Sequence, residues 1–267
     1  MKYVISLMII AAVMCGQVQA GEKSDPAKML TNSNGMKFVY IPPGTFTMGS
    51  PSSEPDRRNN ETQHKVKLTK GFYMQITEVT QGQWRAIMGS NPSHFKDCGD
   101  NCPVEMVSWD DAQAFIRKLN QKEGINKYRL PTESEWEYAA RAGTKAPFAF
   151  GNCLSTSQAN YDGNYPLKGC SKGTFRKKTV SVGSFSPNGW GLYDMHGNVK
   201  EWCQDWYAGD YQGGSVTEFT GSASSSTRIF RGGSWSYEAC DCRSANRDNF
   251  SPDNRVNDLG FRLVRAE

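Results

Sequence analysis

The helical pattern of this chain stops at Gly143, and residues 144–267 show no further helical periodicity. Glycine, asparagine, proline and tryptophan dominate this second part, with only brief apolar runs such as "TVSVGSF" and "GFRLV". The backbone polar groups must therefore be satisfied by short strands and irregular contacts. Few helices followed by short strands and many loops predict the α+β fold class and a loop-rich domain.

Three helices are predicted before this point, because each has a side chain that can cap its first turn and a glycine that can end it. The capping residues and terminal glycines are Thr80 and Gly89, Ser108 and Gly124, and Thr132 and Gly143. No proline- or serine-rich linker divides residues 37–265. The sequence therefore predicts one domain at residues 37–267, preceded by a flexible lead-in at residues 21–36.

Residues 1–20 have a basic start, an apolar stretch from Val4 to Met14, and a small residue, Ala20, at their end. The apolar stretch is too short to span a bilayer. This pattern is typical of a cleaved secretory signal peptide, so we expect a secreted or periplasmic protein without a membrane span. A lipid anchor at Cys15 is the alternative, which Met14 disfavours as the residue before a lipidated cysteine.

The charge of the chain excludes one class of partner. The sequence has 31 basic and 27 acidic residues, a net charge of +4, and its longest basic run is the triplet at residues 176–178. Nucleic-acid-binding proteins concentrate basic residues on one face or stripe. We therefore expect no nucleic acid partner and interpret the triplet as part of a solvated loop.

Seven of the eight cysteines follow residue 20, and an oxidising compartment favours their pairing. They are Cys98, Cys102, Cys153, Cys170, Cys203, Cys240 and Cys242. Two short loops, one closed by Cys98 with Cys102 and one by Cys153 with Cys170, predict two local disulfides. Zinc is the alternative for the first pair, but the sequence has no CxxC motif and no histidine pair at ligand spacing.

The common catalytic motifs are missing from the sequence. It has no GxSxG, no Walker loop, no GxGxxG fingerprint and no HExxH. The three histidines, His64, His94 and His196, lie far apart in the chain. We therefore expect each histidine to be a loop or packing residue rather than a general base.

Eight sequence blocks follow one another in a fixed order between about Phe38 and Val264. They are "FVYIPPGTFTMGS", "GFYMQITEVTQGQW", "CPVEMVSWDDAQAF", "YRLPTESEWEYAARAG", "SPNGWGLYDMHGNVKEWCQDWY", "RGGSW", "RSANR" and "DLGFRLV". Together they closely resemble the formylglycine-generating enzyme, or sulfatase-modifying factor, family. The resemblance implies a variant of the C-type lectin fold with little regular structure.

The best-known members of that family oxidise a sulfatase cysteine to formylglycine with copper and dioxygen, and two cysteine thiolates hold the soft Cu(I) ion. By resemblance, Ser234 matches the serine of the family's "GGS" strand, and Tyr237 stands at the first cysteine position. The second cysteine position falls at about Ala239, so Cys240 and Cys242 lie out of register. Lys200 stands where the family's "GNxWEW" pattern has its first tryptophan. We therefore expect no copper centre. If the chain is an oxidase, Cys240, Cys242 and Ser234 are the catalytic candidates.

The two cysteines at 240 and 242 have a further interpretation. If their segment is extended, residues two apart point to the same face, so both sulfurs could be presented together. A disulfide directly between them would be strained. We therefore expect one of them, with Cys240 as the candidate, to pair with Cys203 and leave a single free thiol.

The block "GLYDMHGNVKEW" matches a calcium-binding loop of the family, in which hard oxygen ligands surround the ion. Carried over residue by residue, the ligands are the side chain of Asp194, the carbonyls of Gly197 and Val199, and the side chain of Glu201. The alternative is that the two acidic side chains only cap and form salt bridges. A second family calcium site would begin at Asn160 and Tyr161, but the region after it differs in length.

We interpret the chain as an exported, non-catalytic domain that binds a protein or another extracytoplasmic ligand or assists its maturation. We expect it to be a monomer. Aromatic and short polar side chains suited to recognition crowd the segment near the C-terminus. The predicted ligand-binding residues are Trp235, Tyr237, Glu238, Asp241, Asp248 and Phe250. Two alternatives remain open: the copper-dependent sulfatase-maturing oxidase, and a ligand-binding protein diversified by a retroelement. In the latter, the tunable positions would be Ser236, Tyr237, Asp241, Phe250 and Asn257.

Overall fold

The computed structural model describes residues 28–211, 214–217 and 225–267. The predicted signal peptide at residues 1–20, the alternative lipid anchor at Cys15 and the first part of the lead-in lie outside these residues. In the part of the chain that is described, no helix is both long enough and apolar enough to cross a membrane.

The three predicted helices are confirmed. They are α1 (Gln81–Met88), α2 (Trp109–Glu123) and α3 (Glu133–Arg141). Thr80, Ser108 and Thr132 each accept a hydrogen bond from the third residue of the helix, whose side chain bonds back to the cap. The first two helices end at left-handed glycines as predicted, whereas α3 ends one residue early, at Ala142 with φ of 45°.

Twelve short strands form three sheets in the described residues. In chain order they are β1 (Met29–Thr31), β2 (Lys37–Ile41), β3 (Gly44–Met48), β4 (His64–Leu68), β5 (Phe72–Gln75), β6 (Tyr128–Arg129), β7 (Lys200–Trp206), β8 (Ser215–Thr217), β9 (Arg228–Arg231), β10 (Asp248–Phe250), β11 (Leu259–Gly260) and β12 (Val264–Ala266). The sheet orders are β1-β2-β5-β12-β6, β10-β9-β7-β11 and β3-β4-β8. This mixture of few helices and several small sheets confirms the predicted α+β class.

The predicted flexible lead-in is wrong for its last residues. Strand β1 pairs antiparallel with β2, with Met29 opposite Val39, and Met36 is fully buried. An apolar side chain taken from water stabilises the ordered state. The folded domain therefore begins before residue 37, at least as early as β1.

Strand β7 divides the core because successive side chains of a strand point to opposite faces. Trp202 packs into one cluster with α2 and Phe261, whereas Cys203 packs into a second cluster with Trp136 of α3. A third, smaller cluster contains Phe148 and Cys242. The C-terminal part of the chain thus contacts all three parts of the core.

Four arginines near the C-terminus are almost completely buried and paired with glutamates. The pairs are Arg231 with Glu137, Arg243 with Glu54 and Glu61, Arg247 with Glu133, and Arg262 with Glu201. A buried guanidinium is tolerated only when carboxylates and carbonyls satisfy its donors. These pairs connect the last strands to α3 and to the loop before β4, and so position the segment between Arg231 and Arg247.

Candidate functional site

Strand β9 ends at Arg231, and the glycines that follow it allow a tight approach of the next segment. Gly233 has φ of 66°, and a Cβ built on it would lie 2.5 Å from Sγ of Cys242. Only glycine accommodates both the left-handed backbone and this contact. The "GGS" block is therefore explained by the packing of Cys242 beneath it.

The segment that holds Cys240 and Cys242 is not extended, so the condition for presenting both sulfurs on one face is not met. Residues Ala239–Cys242 form a short 3-10 helix. Cys242 is fully buried in the third core cluster, while Cys240 is half-buried at its edge. Burial, reinforced by the charge of Asp241, raises the pKa of Cys240 to about 12, and burial also raises the pKa of Cys242. Both groups therefore favour the thiol, and their sulfurs face different surroundings.

The expected disulfide of Cys203 with Cys240 or Cys242 is also absent. All three cysteines are free thiols. Cys203 lies on β7 in the second core cluster, whereas Cys242 lies in the third. The bond fails because the two residues belong to separate parts of the core. The two predicted local disulfides, Cys98 with Cys102 and Cys153 with Cys170, are formed.

A polar cluster occupies the position where the family's cysteine chemistry is expected. Nζ of Lys200 lies 3.1 Å from Oδ1 of Asp258 and donates to Oη of Tyr237 at 3.3 Å. The hydroxyls of Ser234 and Ser236 donate to Oδ2 of Asp258 at 2.9 and 2.8 Å. Tyr237 and Lys200, both departures from the family pattern, thus contact each other directly.

Trp235 forms the centre of a half-buried aromatic face. Phe95 meets it edge-on at 5.4 Å between ring centroids, and Phe175 stacks on it at 6.3 Å. The Trp235 indole N–H donates to the carbonyl of Asn257 at 3.2 Å. We call Phe95, Phe175 and Trp235 the aromatic face. Sequence reasoning found only Trp235, because the phenylalanines come from distant loops.

The other predicted ligand-binding residues differ in accessibility. Glu238 is exposed and Tyr237 is half-buried. Asp241 is mostly buried and forms an ion pair with Arg58 at 2.5 Å, so it is not an open contact position. Phe250 is half-buried but packs against Phe230 at 4.8 Å between ring centroids. These two side chains are therefore committed largely to internal contacts.

Asp248 lies 3.5 Å from Arg58, on the same side as Asp241. Of the positions that diversification would vary, Ser236 is exposed and Asn257 is half-buried. The carbonyl of Asn257 belongs to the backbone, so its bond to Trp235 tolerates a change of side chain. Accessibility thus separates Ser236 and Tyr237 from Asp241 within the predicted set.

The segment predicted to bind calcium turns sharply, with left-handed backbone at three of its residues. Asp194 and Asn198 adopt left-handed φ values of 58° and 63°. Gly197 has φ of 110°, and a Cβ on it would lie 2.4 Å from the carbonyl oxygen of Asn160. Asp194 accepts one hydrogen bond from the backbone of Gly183 at 2.6 Å through Oδ2, while its buried Oδ1 has no hydrogen-bond donor.

Glu201 is less available for a metal than the family pattern implies. Its carboxylate accepts two hydrogen bonds from Arg262 and one from the Trp136 indole, all between 2.6 and 2.8 Å. Glu78, which sequence reasoning missed, is fully buried next to Asn198 and has Oε2 without a donor. The spare carboxylate oxygens thus belong to Glu78 and Asp194.

Electrostatics support the same conclusion. Burial raises the pKa of Glu78, and the charges of Asp194 and Glu201 raise it further. Burial raises the pKa of Asp194 to about 6. Two charges act on both Glu78 and Asp194: Glu201 raises the pKa of each, and Arg262 lowers it. Two buried carboxyls so placed disfavour two negative charges, which either a hydrogen bond between Glu78 and Asp194 or a bound hard cation would relieve.

The second family calcium site is represented here by Asn160 and Tyr161. The Asn160 carbonyl accepts from the N–H of Asn198, and its side chain donates to Lys178 and Asn198. The Tyr161 hydroxyl donates to the carbonyl of Leu154 at 2.7 Å. Within the described residues, no group of three or more His, Cys, Asp or Glu side chains is arranged around a metal position. Through its hydrogen bonds to Asn198, Asn160 braces the Gly197 loop.

The sequence profile of the sulfatase-modifying factor enzyme 1-like domain matches residues 23–267. The chain belongs to this family. Its architecture is accordingly the formylglycine-generating-enzyme-type variant of the C-type lectin fold, as the resemblance implied. Family membership fixes the scaffold, whereas function depends on the residues of the site.

Three relatives span most of the chain. Mouse (Mus musculus) formylglycine-generating enzyme is 28% identical over 85% of this chain and 74% of its own length. Chaperone protein LppX of Paenibacillus barcinonensis is 30% identical over 73% of this chain and 80% of its own. The solved structure of Treponema denticola variable protein 1 has a TM-score of 0.76 and 31% identity, and covers 91% of this chain and 100% of its own.

Proposed function

We propose that this chain is a non-catalytic binding domain that recognises an exported protein or another extracytoplasmic ligand. This proposal rests on one observation: the two cysteines near the expected active site have different surroundings and do not converge on one position. Cys242 is buried under Gly233, Cys240 is half-buried elsewhere, and Tyr237 contacts Lys200 at the expected position of the first cysteine. Copper oxidase chemistry requires two converging thiolates, which this arrangement does not offer.

The aromatic face supports ligand recognition, rather than oxidation, as the function of this site. Half-buried rings supply contact area at little cost in conformational entropy. The exposed Ser236 and Glu238, and Tyr237 between them, add polar groups one to three residues from Trp235. A protein ligand is favoured because a relative at 30% identity is named a chaperone protein.

Export and calcium binding belong to the same proposal. The two disulfides agree with an oxidising compartment. Calcium would be held by the carboxylates of Asp194 and Glu78 and by the carbonyls of Gly197 and Val199, with Glu201 engaged mainly by Arg262. Its role would be structural, because it would neutralise buried charge beneath the binding segment.

An oxidase assay tests the non-catalytic part. The purified protein, loaded with copper, is incubated with dioxygen and a sulfatase peptide that contains a cysteine. We expect no formylglycine by mass spectrometry and no oxygen consumption above the rate of copper alone. Turnover that persists after substitution Tyr237→Ala but disappears in Cys240→Ser would establish the oxidase instead.

Selection of peptides from a random displayed library tests the binding part. Peptides enriched on the wild-type protein should lose at least ten-fold in affinity on Trp235→Ala, because the central ring of the aromatic face is removed. Trp190→Ala is the matched control, since Trp190 is also half-buried but packs on Tyr138. Enriched peptides that bind wild type and Trp235→Ala equally would contradict the proposed face.

Retroelement diversification is a second candidate, favoured by the similarity to a structure named a variable protein. It predicts that the exposed Ser236 differs between otherwise near-identical copies of the gene, whereas buried Cys242 and Arg243 do not. Sequencing the locus tests this: a reverse-transcriptase gene and a template copy support diversification, and an invariant segment without them argues against it.

A further inference from the structure

Lys200 and Asp258 form an ion pair inside an aromatic enclosure. Their side chains are only 2% and 7% exposed, and Nζ lies 3.1 Å from Oδ1. The ring centroid of Tyr237 lies 4.3 Å from Nζ, and those of Phe230 and Phe250 lie at 5.0 Å. Charges in such surroundings carry a desolvation penalty that a neutral amide would not.

We propose that Lys200 and Asp258 condense to an intramolecular isopeptide bond. A proton first moves from the ammonium to Oδ1, which gives a neutral amine and a neutral acid. Nζ then attacks Cγ, the Nζ–Cγ bond forms and the Cγ–Oδ1 bond breaks. Of the three ammonium protons, one remains on the amide nitrogen and two leave with Oδ1 as water. The reaction requires no oxidant, reductant or co-reactant.

The hydrogen bonds at Asp258 are divided between its two oxygens in the way this reaction needs. Lys200 contacts Oδ1, the oxygen that leaves. Ser234 and Ser236 donate to Oδ2, the oxygen that stays and gains negative charge when Nζ adds to Cγ. Donors already aimed at that oxygen stabilise the tetrahedral intermediate, as an oxyanion hole does.

The approach of the nucleophile is also fixed before reaction. Tyr237 Oη accepts a hydrogen bond from Nζ at 3.3 Å, and the packed rings restrict the lysine chain. Reacting groups held close together gain a large effective concentration. Strand pairing provides the same constraint on the backbone, because Lys200 lies opposite Leu259, the neighbour of Asp258, in the β7–β11 pair.

Tryptic digestion of the denatured, reduced protein followed by mass spectrometry decides the proposal. Trypsin does not cut after a lysine whose Nζ is an amide nitrogen. The bond therefore predicts one branched peptide that joins residues 179–228 to residues 256–262, with a mass lower than their sum by one water. Stoichiometric release of residues 256–262 as a free peptide from the wild-type protein would overturn the proposal, whatever the variants do.

Matched variants identify the bonded atoms. Lys200→Arg keeps the positive charge without a nucleophilic amine, and Asp258→Ala lacks the carbonyl carbon, so neither should give the branched peptide. Asp258→Asn should still react, with ammonia in place of water as the leaving group, and should give a branched peptide of the wild-type mass. A branched peptide that persists in Lys200→Arg would show that another pair is linked and would overturn the assignment.

Discussion

Arg262 donates two hydrogen bonds to the carboxylate of Glu201, Nε to Oε2 and Nη2 to Oε1, each 2.6 Å long. The Trp136 indole adds a third to Oε2 at 2.8 Å, and both charged side chains are at most 1% exposed. This relationship joins the "GFR" block to the "KEW" block. Because these bonds occupy Glu201, the nearby buried carboxylate oxygens without a hydrogen-bond donor are Oε2 of Glu78 and Oδ1 of Asp194.

The first prediction concerns this ion pair. Glu201→Gln should lower the free energy of unfolding by about 3–5 kcal/mol, because a buried guanidinium would lose its charged partner. Urea unfolding followed by tryptophan fluorescence measures the loss. The control is Arg255→Ala, which removes an exposed pair with Asp111 and should cost at most about 1 kcal/mol. Equal losses in the two variants would contradict the structural role of Glu201.

The second prediction concerns calcium. A hundred-fold excess over the dissociation constant should raise the Tm of the wild-type protein by about 5–10 °C. Glu78→Gln should remove most of this response, since it takes away a spare buried carboxylate oxygen. In a chelator the same variant should melt at or above the wild-type temperature, because it relieves repulsion with Asp194. A full calcium response in Glu78→Gln would exclude that residue as a ligand.

Local signals made the helices and the two short disulfide loops predictable. Thr80, Ser108 and Thr132 act on residues only three positions away, so the sequence contains the whole interaction. The end of α3 was displaced by one residue because Ala142 adopts the left-handed conformation that glycine usually supplies.

Contacts between distant segments were not predictable in the same way. The pairing of Cys203 failed because β7 sends that side chain into a different core cluster from Cys242. The placement of Glu78 beside Asp194 and Glu201 was not predicted, because Glu78 lies far along the chain from both and carries no metal-binding motif of its own. Lys200 gave a usable signal, since it replaces a family tryptophan, but its partner Asp258 emerges only from the parallel pairing of β7 and β11.

The third prediction concerns the free thiols. Native protein treated with iodoacetamide at pH 8 should be alkylated slowly at Cys240, because its pKa of about 12 leaves little thiolate. Cys203 and Cys242 should react only after denaturation, because both are fully buried. Mass spectrometry of timed samples follows each site. Rapid alkylation of Cys240 in the native protein would contradict the raised pKa and would indicate a reactive thiol.

The last prediction concerns acid stability and rests on His196. Its Nδ1 donates to the carbonyl of Cys242 at 2.8 Å, and its Nε2 accepts the N–H of Ala149 at 3.0 Å, so the ring is neutral. Burial lowers the pKa of His196 from 6.5 to about 4. Between these two pH values the unfolded chain binds a proton that the native chain does not. The free energy of unfolding should therefore fall by about 3 kcal/mol as pH drops from 6.5 to 4, and this contribution should level off below pH 4.

His196→Gln separates this contribution from the other acidic groups. The glutamine amide can donate to the carbonyl of Cys242 and accept from the N–H of Ala149, as the imidazole does, but it does not titrate. Urea unfolding of both proteins at several pH values gives the difference between them, from which groups common to both cancel. That difference should shift in favour of the variant as pH falls through the window. Parallel pH profiles would mean that His196 is protonated in the folded protein and that its hydrogen bonds differ from those described.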